Sequence, residues 1–201
     1  MLEAIVWLTL ASILLIGVPG PSAMALAAIG ASEGMRKGVP LASGLICGAM
    51  LTGLLSMFGM LTLLEQWPSA RLALQVIGGL FILAVAVKML RTPVADGRTN
   101  ETHFGFRSGI LFNVLNPKAY ATFMILTTKF MPPIASKLMA ILIIEVVVFA
   151  AAFFVALGWL AFGTLLKHLI HSPHGQLRLR TAFACLMVVF VVPLLFSLSP
   201  L

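Results

Sequence analysis

The chain has 201 residues, of which 61% are hydrophobic and 9% charged, and its formal charge is +7 at pH 7. Soluble domains carry about 25% charged residues, so lipid rather than water must be the solvent for most of this surface. The Lys and Arg residues form no stripe or basic arm and instead sit at the ends of apolar runs, which argues against nucleic acid as a partner and fits the loops of a membrane protein.

A helix crossing the hydrocarbon core needs about 20 mostly apolar residues. The first uncharged run covers residues 4–32. It has no Lys or Arg before it, Glu3 lies at its start, and it continues past any cleavage site, so it reads as a retained span rather than a signal peptide. Inside it stands GVPGPSA, residues 17–23. The second run, 38–64, contains Gly44 and Gly48, which suit close packing against a neighbouring helix. Gly30, Gly34 and Gly38 recur every fourth residue, but Glu33, Arg36 and Lys37 interrupt that face, so a loop or a surface turn fits it as well as a helix contact. The third run is 72–87, and the polar stretch RTPVADGRTNETHFGFR closes the first half of the chain. The fourth run, 108–128, contains NVLNPKA at 113–119 and one charge, Lys118. The fifth, 138–166, contains one charge, Glu145, and the sixth covers 181–201. None shows the alternation of a barrel wall.

Cys47 and Cys185 lie within apolar runs at no metal or redox spacing and read as small buried hydrophobes. His168, His171 and His174 have near-helical spacing beside Lys167; without an Asp, Glu or Cys they fit a solvated or headgroup-facing cluster better than a metal site. No phosphate-binding glycine loop, nucleophile elbow or H-E-x-x-H motif occurs, so no enzyme activity, nucleotide drive or cofactor is expected.

With the N-terminus outside, the inner loops hold nine basic residues (Arg36, Lys37, Lys88, Arg91, Arg98, Arg107, Lys167, Arg178 and Arg180) and the outer loops three (Arg71, Lys129 and Lys137). This bias predicts both termini on the outer side of the membrane. Three runs precede the linker at about 92–107 and three follow it. An odd number inverts the second half relative to the first. A shift of 96 positions lays Val18, Pro21 and Ala23 on Val114, Pro117 and Ala119. The expected fold is therefore an all-α integral membrane protein with six transmembrane helices in one domain over 1–201. Two inverted three-helix repeats, about 1–91 and about 108–201, would compose it, with helices 1 and 4 broken at their proline motifs.

Proline inside a helix removes a hydrogen bond and clashes with the preceding turn, at a cost of about 3 kcal/mol. Asn is a strong N-cap and Pro is favoured at the first helical position, so Asn116-Pro117 reads as the start of a half-helix in mid-membrane. Gly20-Pro21 reads the same way. Pro21 leaves the carbonyl of Gly17 unpaired, and Pro117 that of Asn113. In inverted repeats the two half-helix N-termini point at each other, each with about half a positive charge and free N–H groups. Lys118 adds a full charge. This is chemistry for a carboxylate, and the freed carbonyls suit an ammonium, so the site fits a free amino acid. The candidate binding residues are Gly17, Pro19, Gly20, Pro21, Ser22, Asn113, Asn116, Pro117 and Lys118. The plainer alternative is that both prolines only kink packed helices. Glu145 has two readings: an ion pair with Lys118, or a carboxylate that takes up a proton during transport.

At these residues the sequence resembles the lysine exporter (LysE/RhtB) family of bacterial amino-acid exporters. The resemblance rests on G-V-P-G-P at 17–21 followed by the series Gly30, Gly34, Gly38, Gly44 and Gly48, and on F-R-S-G-I-L-F-N-V-L-N-P-K-A at 106–119. It implies an inner-membrane exporter of amino acids or close derivatives, driven by protons as antiporter, using both broken helices around the substrate, and forming a homodimer. Two positions depart from the family pattern: Ala49 follows Gly44-Leu-Ile-Cys-Gly48 where relatives carry an acid, and Thr128-Lys129-Phe130 replaces a P-Q-F. The rival readings are a metal-cation exporter of related architecture, against which Lys118 argues, and a helix bundle that transports nothing.

Overall fold

A computed structural model describes residues 1–91, 104–170 and 172–196. Among them every regular element is helical. The α-helices are α1 Leu2–Gly17, α2 Pro21–Ser32, α3 Met35–Leu55, α4 Leu61–Gln66, α5 Pro68–Arg91, α6 Phe106–Val114, α7 Pro117–Lys129, α8 Lys137–Leu169 and α9 Pro173–Phe196. A π-helical turn, Ser56–Met60, extends α3 until Gly59 takes a positive φ of 102° and ends it. Among the described residues three helices are long and apolar enough to cross a membrane: Met35–Met60, Pro68–Arg91 and Lys137–Leu169. A fourth candidate is the pair α1 and α2, bent by 67° at the first proline motif.

Several boundaries fall elsewhere than the apolar runs suggest. The expected break between runs five and six was the whole stretch KHLIHSPHGQLRLR, yet α8 continues to Leu169 and α9 begins at Pro173. Proline is well suited to that first helical position, where its missing N–H removes no helical bond. Arg180, expected in a loop, is buried on α9 and interacts electrostatically with Glu33, which caps the end of α2. Arg36 and Lys37, also expected in a loop, lie in the first turn of α3. The turn before them is made at Gly34, whose φ of 93° suits glycine. Residues 92–103 of the expected linker and His171 lie outside the described residues, while His168 and His174 are exposed. Cys47 and Cys185 are exposed rather than buried; an apolar thiol needs no shelter when the surface around it is apolar too.

Contacts fix the directions of the long helices. Gly38 meets Leu160 and Gly53 meets Glu145, so α3 and α8 run antiparallel. Gly44 meets Phe106 and Gly48 meets Ile110, so α6 runs parallel to α3. In α1 and α2, Gly17 lies against Val155 and Ala27 against Gly163, so this pair runs with α8. Accordingly α1–α2 and α6–α7 run in opposite directions, with α1 touching α7 and α2 touching α6. The bundle thus has one half built on α2 and α6 and another on α1 and α7. In the first half, glycine lets backbones touch: Gly30 and Gly163 join α2 to α8, and Gly44 and Gly109 join α3 to α6. In the second half, large side chains fill the space, with Leu8, Phe123, Leu126, Ile144 and Val148 forming a separate apolar cluster.

Candidate functional site between the broken helices

Both proline motifs break the chain where the residue chemistry predicts. Gly20 is extended (φ −159°, ψ −179°) and immediately precedes α2, and Asn116 is extended (φ −99°, ψ 109°) and immediately precedes α7. Asn116 caps its helix, its side-chain oxygen accepting from the Lys118 backbone N–H at 3.0 Å. Gly20 has no side chain to do this, and α2 begins without a side-chain cap.

The two breaks meet. The Lys118 ammonium donates to the carbonyl of Val18 at 2.8 Å, across 100 residues of sequence. The same ammonium lies 3.5 Å from where a Cβ on Gly20 would stand. The carbonyls released by the prolines are occupied. The Asn116 N–H donates to Asn113 O at 3.0 Å, and the Trp159 indole N–H reaches Gly17 O in a long bond of 3.4 Å. Tyr120 Oη donates to Val114 O at 3.0 Å. The expectation that these carbonyls stand open to a ligand's ammonium is corrected accordingly: bare backbone acceptors are costly inside an apolar bundle, and the protein fills them with its own donors.

Between the breaks lies a cavity of about 80 Å³. A water needs about 10–15 Å³ of such space, so several waters or a small solute fit. Ser22, Asn113, Asn116, Lys118 and Thr122 contribute polar groups to its lining, and Lys118 is the one charged side chain among the described lining residues. Leu26, Ile46, Phe123, Val148 and Trp159 supply apolar wall. Asn113 also ties α6 to α3, its amide donating to Leu45 O at 2.6 Å. With one N–H so committed, its side-chain oxygen and its second N–H are what it can offer a ligand.

Of the residues named from sequence, Ser22, Asn113, Asn116 and Lys118 line the cavity. Pro21 and Pro117 start the half-helices, Gly20 adjoins the Lys118 ammonium, and Gly17 contributes its carbonyl to Trp159. Pro19 is exposed and outside the lining. Glu145 is buried in α8, with its carboxyl against Gly53 and the Phe123 ring. It makes no ion pair with Lys118, and its Oε1 has no hydrogen-bond partner among the described residues. Phe123, which also adjoins Gly53, lines the cavity, whereas Glu145 does not. Trp159, Thr122 and Phe123 were missed in the sequence. A signal existed for Trp159, since a buried indole N–H seeks an acceptor and Pro21 supplies a carbonyl; its distance along the chain hid the pairing.

The chain matches the LysE type translocator family over residues 13–198. A relative from Pseudomonas aeruginosa, described as an uncharacterized membrane protein, is 28% identical over 126 residues, which is 58% of each chain. The match therefore spans little more than half of that relative's length. No solved structure matches.

Proposed function

The chain belongs to the LysE type translocator family, and from that premise we infer that it is a secondary active exporter of amino acids or close derivatives in the bacterial inner membrane. One observation carries the reading: among the described residues, the cavity between the two helix breaks has a single charged lining side chain, Lys118. The uncapped N–H groups at the start of α2 and the Lys118 ammonium are the natural partners of a substrate carboxylate. The side-chain oxygens of Asn113, Ser22 and Thr122 suit the substrate ammonium, and the apolar wall suits a small neutral side chain.

The opposite directions of α1–α2 and α6–α7, and of α3 and α8, support two inverted repeats, in which α6–α7 and α9 complete six spans. Alternating access would rock one repeat against the other around the breaks. Glu145, buried with its Oε1 lacking a hydrogen-bond partner among the described residues, is the candidate proton carrier of an antiport cycle. The loop charges favour both termini on the periplasmic side.

Counterflow in proteoliposomes tests the reading, using a panel of amino acids, their methyl esters and Cd²⁺. Small neutral amino acids should exchange and their esters should not. Exchange of Cd²⁺ alone, or of nothing on the panel, would overturn it.

A further inference from the structure

Trp159 divides two spaces. On one side it lines the cavity between the breaks. On the other it lines an apolar groove of about 350 Å³ between α1 and α8, shared with Ile13, Gly17, Val155, Gly158 and Phe162. Its ring is held from two directions. The indole N–H reaches Gly17 O at 3.4 Å, and the ring meets Phe162 edge to face at 5.8 Å between centroids and 89° between planes. Only Val155 and Trp159 line both spaces. A small inner cavity and a larger outer groove are thus separated by one fixed aromatic wall and one valine.

We propose that Trp159 is the residue that limits the size of the substrate side chain, by closing the inner cavity against the outer groove. The inference rests on the exporter reading and deepens it. With the substrate carboxylate at Lys118 and the start of α2, the side chain must extend among the apolar residues, and Trp159 is the largest of these. Its hydrogen bond ties the wall to the break itself, because the carbonyl it takes is the one that Pro21 frees. Small residues on the lipid side of the wall, Gly17 and Gly158, leave room that a longer substrate would enter if the wall were removed.

Counterflow with alanine, leucine and phenylalanine, measured for wild type, Trp159→Ala, Trp159→Phe and Val155→Ala, tests the proposal. Wild type should favour the smaller substrates. Trp159→Ala should narrow or reverse that preference by about 10-fold or more, the range available to steric selection in an apolar pocket. Val155→Ala, a milder opening of the same partition, should move the preference in the same direction and decides the matter if Trp159→Ala does not insert. Trp159→Phe keeps a wall but loses the N–H, so it should keep the size limit while slowing turnover. An unchanged size preference in well-inserted Trp159→Ala or Val155→Ala overturns the proposal and leaves the exporter reading standing. Wild type that exchanges another amino acid but none of the three overturns the proposal alone, and wild type that exchanges no amino acid overturns both.

Discussion

At the scale of single residues, Lys118 concentrates the chemistry. Lys118→Ala removes a charge-assisted contact worth about 1.5–3 kcal/mol, so substrate affinity should fall by about 10- to 150-fold while the protein still inserts. Lys118→Arg should rescue only in part, because a guanidinium fork does not replace a compact ammonium beside Gly20. The comparison of an amino acid with its methyl ester is decisive: wild type should discriminate strongly and Lys118→Ala should not. Equal discrimination in both would move the carboxylate elsewhere. Glu145→Gln should retain substrate exchange and lose proton-driven accumulation; surviving accumulation would leave the carboxylate a structural role. Lys118 was legible in the sequence because a charge in mid-span is costly and so has a task. Its partner was not, since no local pattern reports that the carbonyl of Val18 lies 100 residues away in sequence and 2.8 Å away in space. The opposite charges of Lys118 and Glu145 suggested a pair, but the Lys118 ammonium turns to Val18 O and the Glu145 carboxyl lies at Gly53.

At the scale of helices, the breaks themselves were readable to the residue. Gly-Pro and Asn-Pro carry local rules for starting a helix, and those rules held at Pro21 and Pro117. Asn116→Ala should lower stability by about 1 kcal/mol through loss of the cap, measurable as an earlier thermal transition in detergent. The glycines were ambiguous because one residue type serves three purposes: Gly34 turns the chain, Gly59 ends a helix, and Gly30 and Gly163 let α2 and α8 touch. Gly163→Ala would drive a methyl into the Ala27 backbone, which has no rotamer to yield, and should destabilise by about 1–3 kcal/mol. Gly158→Ala, on the same helix with open space beside it, should be neutral or slightly stabilising. Similar transition temperatures for the two variants would contradict the packing described for α2 and α8.

At the scale of the whole molecule, charge and hydropathy made the membrane class and the helical fold legible, while the ends of α8 and α9 escaped them because polar residues there still form helix. Orientation has its own test. Residues 92–107 and 167–180 should be cytoplasmic, so a cysteine at position 98 should resist external labelling in a chain lacking the free Cys47 and Cys185. Efficient labelling from outside would reverse the topology. An exporter of the kind proposed above would also have to reset without its substrate, and there the bond between Lys118 and Val18 has its largest consequence. A bare backbone carbonyl in hydrocarbon costs several kcal/mol, and without the lysine that cost would weigh on the unloaded protein and make it reluctant to reset. With its own ammonium held against the Val18 carbonyl, such a carrier would travel home with a built-in passenger, and one-way efflux would not lag behind exchange.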